Sequence, residues 1–141
     1  MTIAERLIAR RETLAVVESS TGGMITSSLL CAPGASTYFL GGALVYSAAA
    51  REALLGIGAA ETAGVRPASK RYAALLAQRI RERLGATWGL AEAGVAKPTD
   101  NCSRGRAGHT CIAVAGPVER VRTVRADKDP IFHMVMVSFD G

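Results

Sequence analysis

The sequence has little of what marks a disulfide-stapled, metal-holding or membrane-spanning protein. Only three cysteines occur in 141 residues, and Cys31, Cys102 and Cys111 lie far apart without a C-x-x-C pair, which argues against a disulfide framework and a zinc site. No apolar run approaches the roughly 20 residues that a membrane span needs, and the N-terminal residues mix charges into apolar positions, unlike a signal peptide. We therefore expect free thiols, a cytoplasmic location and no membrane partner.

Aromatic residues are also scarce, at 5%, and they do not alternate with basic residues, so the sequence offers no platform on which nucleic-acid bases stack. The net charge of +5 is scattered and does not form a basic run. It suits an anionic small molecule as well as a nucleic acid, and we predict no nucleic-acid binding. His109 and Cys111 have no further metal ligand beside them, so no metal is predicted.

The length and a hydrophobic content of 49% suit one domain over residues 1–141. An apolar strand, Thr13 to Glu18, leads into the glycine-containing turn SSTGG and then a helical stretch, MITSSLL. This order is typical of the β-loop-α unit of parallel sheets, in which the carboxyl end of the strand is the functional edge.

The rest of the chain continues the alternation of strands and helices. FLGGALVYS is predicted as a strand and AAAREALLGI as a helix, and a longer helix has Pro67 in its first turn and ends at Gly85. TWGLAEAG is a predicted buried strand, KPTDNCSRGRAGH a loop, and HTCIAVAG with ERVRTVRA a closing hairpin. The helix is expected to bury a stripe of every fourth residue: Tyr72, Leu76, Ile80 and Leu84. We predict an α/β, three-layer-like single domain with a mixed, largely parallel sheet flanked by helices.

The segment ESSTGG, Glu18 to Gly23, places two glycines and three hydroxyls where a strand gives way to a helix. Free N–H groups and the positive end of the helix dipole there could hold a phosphate. A simple N-cap turn explains these six residues equally well.

A second group of residues is Ser36 in PGAS, Tyr46 on the predicted second strand, and Arg51 in the next helix. A serine needs a neighbouring base to become a nucleophile, and both histidines, His109 and His133, are distant in sequence. On its own, Ser36 is more typical of a turn.

Taken together, the run VESSTGGMITSSLLCAPGASTYFLGGALVYSAAAREALLGI, residues 17–57, resembles the C-terminal domain of the CinA proteins. That family reads AESCTGG, a G-x-S before an aromatic pair, then GG, YSN, a lysine and LGV. GLAEAGVAKPTDN and CIAVAG also resemble family segments. The resemblance implies an amidohydrolase that converts nicotinamide mononucleotide to nicotinic acid mononucleotide and ammonia without a cofactor.

The resemblance assigns catalytic roles to Ser36 as nucleophile and to Tyr46, and it places Arg51 where the family has its catalytic lysine. A guanidinium cannot act as a general base as a desolvated lysine can, so three alternatives stay open: an amidase, a catalytically inactive nucleotide-binding module, and a structural remnant. Ser20 replaces the cysteine of the family motif. The implied substrate-binding residues are Glu18, Ser19, Thr21, Gly22, Gly23, Gly34, Ala35, Gly42, Ala93, Gly94 and Lys97.

The C-terminal end departs from this resemblance. Relatives continue into a long amphipathic helix, whereas this sequence finishes with IFHMVMVSFDG. Three alternatives stay open for the apolar face that this helix normally covers: exposure, coverage by a partner chain, or closure by the terminal strand. A bare apolar face of that size is unusual on a monomer, so we expect a homo-oligomer.

Overall fold

Five strands form the sheet in the computed structural model, which describes residues 1–95 and 109–125. They are β1 (Leu14–Glu18), β2 (Phe39–Leu44), β3 (Trp88–Val95), β4 (His109–Ala115) and β5 (Arg120–Arg125). The order is β2-β1-β3-β4-β5, with β1 parallel to β2 and β3, and with β3–β4 and β4–β5 antiparallel. The predicted α/β class, mixed sheet and closing hairpin are confirmed, and the parallel pairings join the first three strands.

Six helices precede or connect these strands in the described residues. They are α1 (Ile3–Arg10), α2 (Met24–Cys31), α3 (Ala35–Tyr38), α4 (Ala48–Leu55), α5 (Ala59–Thr62) and α6 (Lys70–Leu84). Thr2 and Glu5 form a capping box at the start of α1, because each side chain bonds the other residue's backbone N–H. None of the helices in the described ranges is long and apolar enough to cross a membrane.

The two faces of the sheet bury separate cores because successive strand residues point to opposite sides. Ala15 and Val17 of β1 pack with α6, whereas Leu14 and Val16 pack with the layer formed by α1, α2 and α3. This gives the three layers predicted from the sequence. All five residues of β1 are buried, as expected for a central strand that is covered on both sides.

Helix α6 corrects two details of the prediction. It begins at Lys70 and not near Pro67, because the Ser69 hydroxyl accepts the Tyr72 N–H at 3.1 Å and caps the helix there. The buried face is Ala73, Leu76, Ala77 and Ile80, while Leu84 is 42% exposed. The predicted end at Gly85 is confirmed by its left-handed conformation, with φ of 62°.

Candidate functional site

The carboxyl ends of the parallel strands β1 and β2 open into a cleft of about 170 Å³. Its walls come from the end of β1, the start of α2 and the second half of β2. The residues are Glu18, Gly23, Thr26, Gly42, Ala43 and Leu44. This is the edge at which the strand-turn-helix order of the sequence predicts a ligand site.

Glu18 ends β1 and turns its carboxylate under the first turn of α2. One oxygen accepts the Ile25 N–H at 2.9 Å and the Thr21 hydroxyl at 2.8 Å, and the other accepts the Thr26 N–H at 2.9 Å. The side chain is only 2% exposed. A carboxylate at this position also complements the positive end of the helix dipole, so α2 is capped by the protein's own anion.

Glu92 on β3 holds the same loop from the other side and is fully buried. Its carboxylate accepts the backbone N–H groups of Ser19 at 2.9 Å and Thr21 at 3.1 Å. It also accepts hydroxyl hydrogen bonds from Ser20, Thr21 and Thr110, so this one group joins the loop to β3 and β4. A buried carboxylate needs such donors to offset the loss of its hydration.

These two carboxylates favour the N-cap interpretation of the ESSTGG segment over phosphate binding. Four N–H groups at this edge, on Ser19, Thr21, Ile25 and Thr26, already bind Glu18 and Glu92. A phosphate placed there would compete for the same donors and would face two negative charges. The three hydroxyls of the segment lie at the predicted edge, but at least two of them, on Ser20 and Thr21, point into this network.

The glycines at the cleft have identifiable backbone roles. Gly22 and Gly23 adopt positive φ angles of 63° and 97°, which allow the tight turn between β1 and α2. Gly42 of β2 is needed for a different reason, since a Cβ atom there would collide with the Val16 carbonyl oxygen of the neighbouring strand. Its place at the cleft wall therefore also reflects close packing between β2 and β1.

Ser36 lies at the other end of β2, in the short helix α3. Gly34 precedes this helix with φ of 80°, Ala35 is half-buried, and Ser36 itself is exposed. The helix is fixed by Tyr38, whose hydroxyl donates to the Leu29 carbonyl oxygen at 2.6 Å near the end of α2. Burial raises the pKa of the Tyr38 phenol above its usual value of 10.0.

Tyr46 and Arg51 follow the carboxyl end of β2. Tyr46 is 86% exposed, just after the strand. The Arg51 guanidinium is half-buried, and its Nε donates to the Ile57 carbonyl oxygen at 3.1 Å, which ties α4 to the chain that follows it. No side-chain hydrogen bond within residues 1–95 and 109–125 joins Arg51 to Tyr46 or Ser36.

The structure does not bring Ser36 and Tyr46 together within one chain. They flank the two ends of β2, and the six residues of a strand that rises about 3.3 Å per residue separate those ends by roughly 17 Å. Ser36 is also held near the end of α2, whereas Glu18 and the cleft lie at its start. The predicted catalytic residues therefore belong to two separate places on the same subunit.

The remaining predicted site residues lie on and after β3. Ala93 is 1% exposed in the core beneath α6, where it pairs with Cys111, so its side chain is not at the cleft. Gly94 is half-buried near the carboxyl end of β3. Lys97 lies outside the described residues, as do the predicted loop from residue 97 to 108 and the chain terminus after residue 125.

His109 and Cys111 lie on β4, where both side chains approach the Ala68 carbonyl oxygen, at 2.8 Å from His109 Nε2 and 3.4 Å from Cys111 Sγ. Across the described ranges, no group of three or more His, Cys, Asp or Glu residues could hold a metal ion.

The sequence interpretation did not identify two residues that take part in the hydrogen bonds around the loop after β1. Glu92 and Thr110 sit in strands predicted from their apolar neighbours, and both are fully buried. The available signal was the charged residue within GLAEAG, because a glutamate in a buried strand requires several hydrogen-bond donors.

Comparison with known proteins agrees with this architecture. Residues 1–131 match the family described as the CinA C-terminal domain. A CinA-like protein of Frankia casuarinae is 41% identical over 124 residues, which are 87% of this chain and 28% of the relative. A CinA-like protein of Anaeromyxobacter sp. (strain K) is 38% identical over 132 residues, 92% of this chain and 32% of the relative. The chain thus spans about a third or less of these two relatives.

Solved structures share the fold. A CinA superfamily protein from Escherichia coli superposes with a TM-score of 0.88 at 22% identity, covering 96% of this chain and 80% of that one. One from Enterobacter cloacae gives 0.86 at 26% identity, covering 98% and 84%. With the family match spanning most of the sequence, this chain belongs to the CinA C-terminal domain family.

Proposed function

We propose that the protein hydrolyses the carboxamide of nicotinamide mononucleotide, giving nicotinic acid mononucleotide and ammonia. The observation that carries the proposal is the family match over residues 1–131, combined with the amidase chemistry implied by the resemblance of residues 17–57. The reaction needs no cofactor.

The size of the cleft supports a small planar group as its occupant. A volume of about 170 Å³ is below the roughly 300–1,000 Å³ typical of sites that enclose a drug-sized ligand. The cleft therefore suits one pyridine ring with its carboxamide, and the ribose and phosphate extend beyond it.

The charges at the cleft also support binding of the pyridine ring there. Glu18 lines the cleft and Glu92 lies behind the adjacent loop, so a cation is favoured at this edge. The ring of nicotinamide mononucleotide is a pyridinium cation, whereas its phosphate is an anion. We infer that the ring end, and not the phosphate, occupies the cleft, in place of the phosphate binding first expected for Glu18, Ser19, Thr21, Gly22 and Gly23.

In the proposed chemistry, which draws Ser36 and Tyr46 from two copies of the expected homo-oligomer, the Ser36 hydroxyl oxygen adds to the carboxamide carbon while the Tyr46 phenolate takes its proton. The C–N bond then breaks and ammonia leaves with the returned proton. Water adds to the resulting ester and releases nicotinic acid mononucleotide with Ser36 restored. Arg51, which cannot act as a base, orients Tyr46 or the substrate.

A catalytically inactive nucleotide-binding module is the second candidate. The hydrogen bond from Arg51 to the Ile57 carbonyl favours it, because a side chain engaged in holding α4 is less free to serve catalysis. Both candidates require binding, and only the first requires turnover.

One paired experiment separates the two. Ammonia release from nicotinamide mononucleotide measures turnover, and a thermal-shift titration with the same compound measures binding. Turnover that is lost in Ser36→Ala, with binding kept, supports the amidase. Binding without turnover supports the inactive module, and absence of both contradicts the proposal.

A further inference from the structure

The Thr21 hydroxyl lies between the two buried carboxyl groups at the edge of the cleft. Its oxygen is 2.8 Å from Glu18 Oε1 and 2.9 Å from Glu92 Oε2, and all three side chains are at most 3% exposed. A hydroxyl has a single hydrogen, which can complete only one of these two hydrogen bonds. If both carboxyls were ionised, the other contact would hold two oxygens together with no hydrogen between them. The geometry therefore calls for one more proton.

The other hydrogen bonds of the two carboxyls show which oxygen has room for that proton. Glu92 Oε2 already accepts the N–H groups of Ser19 and Thr21, whereas Glu18 Oε1 accepts one N–H group, from Ile25. A protonated oxygen has less capacity to accept hydrogen bonds than an ionised one. The proton therefore fits on Glu18 Oε1, which donates it to Thr21, while the Thr21 hydroxyl donates its own hydrogen to Glu92.

The balance of charge at this edge favours the same arrangement. Within residues 1–95 and 109–125, neither Glu18 nor Glu92 forms an ion pair with another described residue. Two ionised carboxylates that contact one hydroxyl away from water repel each other, and one shared proton removes most of that repulsion. One negative charge then remains instead of two, and the edge still prefers a cation to an anion.

The elements around the pair bring no other titratable side chain to it from the part of the chain that the structure describes. Strand β2 and helix α2 read FLGGAL and MITSSLLC, in which only Cys31, at the far end of α2, can titrate. On β4, Thr110 donates to Glu92, whereas the preceding residue, His109, lies on the opposite face of the sheet. A change of protonation at this edge therefore belongs to the two glutamates.

Glu18 also lines the cleft, so a ligand bound there lies next to the shared proton. A cation beside Glu18 stabilises its ionised form, and it therefore competes with the proton for the same carboxyl. When the cation binds, the O–H bond of Glu18 breaks and the proton passes to water. The positive charge of the ligand takes the place of the proton, so that binding and deprotonation are coupled.

We propose that Glu18 and Glu92 share one proton through Thr21 in the free protein, and that a cationic ring entering the cleft displaces it. The displacement rests on the proposed function, which places a pyridinium ring in the cleft, whereas the shared proton rests on the hydrogen bonds alone. Affinity for a cationic ring should rise by up to about tenfold per pH unit while the proton is released, and level off once the free pair is ionised. A neutral ring displaces no proton, so its affinity should not change with pH.

The shared proton is tested first in the ligand-free chain. NMR follows the side-chain carboxyl carbons of isotope-labelled glutamate through a pH titration, and Glu18→Gln identifies the Glu18 signal. We expect Glu18 to keep its proton at pH values at which the exposed Glu119 is already ionised. If Glu18 ionises together with Glu119 in the wild-type chain, the shared proton is overturned.

A variant of Glu92 tests whether the two carboxyls act together. Glu92→Gln removes one charge, and its amide can donate to the Ser20 and Thr110 hydroxyls, which can turn to accept. Without the second charge, Glu18 should ionise at the same pH as Glu119. Glu119→Gln, the matched control, should leave the Glu18 titration unchanged. A Glu18 titration that Glu92→Gln does not alter would overturn the sharing.

Release of the proton is tested by calorimetry with two rings that carry no phosphate. Nicotinamide methylated on its ring nitrogen is a pyridinium cation, and nicotinamide itself is the neutral counterpart. Binding heats measured in two buffers that differ in ionisation enthalpy count the protons released. We expect up to one proton with the cation and none with the neutral ring, with release lost in Glu92→Gln and kept in Glu119→Gln. A cation that binds without releasing a proton at any pH would overturn the displacement.

These measurements also separate failure of this inference from failure of the proposed function. Proton release on cation binding, in a chain that liberates no ammonia from nicotinamide mononucleotide, supports the inference and contradicts the amidase. Ammonia release by a chain that binds the cation equally well at every pH contradicts the displacement and leaves the amidase intact. A chain that binds neither ring overturns the displacement, and the carbon titration still decides whether the proton is shared.

Discussion

The two outer strands of the described sheet differ in how they face their surroundings. Strand β5 reads RVRTVR, and its three arginines, Arg120, Arg122 and Arg125, are all exposed. Strand β2 reads FLGGAL and carries no charge at all. Charged edge strands resist further pairing, whereas an uncharged apolar one favours it. Among the described residues, β2 is therefore the edge more open to further pairing, whereas charge protects β5.

The parallel strands β1, β2 and β3 differ from the hairpin of β4 and β5 in how their strands pair. One side chain connects these two parts of the sheet. Strand β1 pairs in parallel with β2 and β3, and β1 and β2 end at the cleft, whereas β4 and β5 form a local hairpin. Glu92 links the halves, because it lies on β3 and binds the loop after β1 as well as Thr110 on β4. Glu92 and its hydrogen bonds therefore join the parallel strands to the closing hairpin.

The largest effect is expected from removing this link. Glu92→Ala leaves two loop N–H groups and the hydroxyls of Ser20 and Thr110 without their acceptor, so the free energy of unfolding should fall by at least about 3 kcal/mol. Urea denaturation measures the change. Glu119→Ala, which alters an exposed glutamate between β4 and β5, should shift it by less than about 0.5 kcal/mol. Equal effects of the two substitutions would contradict the role assigned to Glu92.

The next largest loss of unfolding free energy is expected from disturbing the contact between β2 and β1. Gly42→Ala forces a Cβ atom against the Val16 carbonyl oxygen and should cost about 1–3 kcal/mol of unfolding free energy. Gly58→Ala serves as the control, since that position has φ of −85° and open space around it. We expect its effect in the same urea titration to stay below about 1 kcal/mol. A Gly42→Ala protein as stable as the wild type would show that β2 moves freely from β1.

A third comparison uses enzymatic activity, with Arg51→Lys set against a matched substitution on β5. A lysine at this position can act as a general base, so ammonia release should rise at least about tenfold. The lost hydrogen bond to the Ile57 carbonyl should lower stability by about 0.5–1.5 kcal/mol. Arg122→Lys, on the exposed face of β5, should change neither quantity. A loss of stability with no gain in rate would mean that Arg51 only supports the end of α4.

The smallest effect on stability is expected from Tyr38, the last residue of α3 before β2. Its pKa is raised by burial, so folding favours the neutral phenol and this contribution is present below the ordinary value of 10.0. The contribution is lost as the pH rises through the higher pKa of the folded state. Urea midpoints should therefore fall above pH 10.0, and the fall should be smaller in Tyr38→Phe. Tyr46→Phe, which changes an 86% exposed residue, should retain the wild-type pH dependence.

Much of the fold was predictable because its signals are local. The apolar run of β1, the glycine turn before α2, and the alternation of β5 each specify an element within a few residues. The start of α6 was wrong because the Ser69 cap defines it more strongly than Pro67 does. The exposure of Leu84 was missed because periodicity identifies a helical face without showing where the sheet beneath it ends.

The site was less predictable because its geometry depends on contacts distant in sequence. Nothing near ESSTGG indicates that Glu92, more than 70 residues away, binds its N–H groups. Similarly, Ser36 and Tyr46 lie ten residues apart in sequence, which suits contact across a turn but not along the straight strand that separates them. The family resemblance assigned roles to these two residues, and the strand between them determines their separation.

The proposed amidase reaction replaces the amide nitrogen of nicotinamide mononucleotide with oxygen from water. Incubation in isotope-labelled water, followed by mass spectrometry of the nucleotide, tests it most directly. We expect nicotinic acid mononucleotide with one labelled carboxylate oxygen, formed faster by Arg51→Lys and absent with Ser36→Ala. An unchanged nucleotide with both the wild-type chain and Arg51→Lys, in folded samples, would contradict the proposed amidase function.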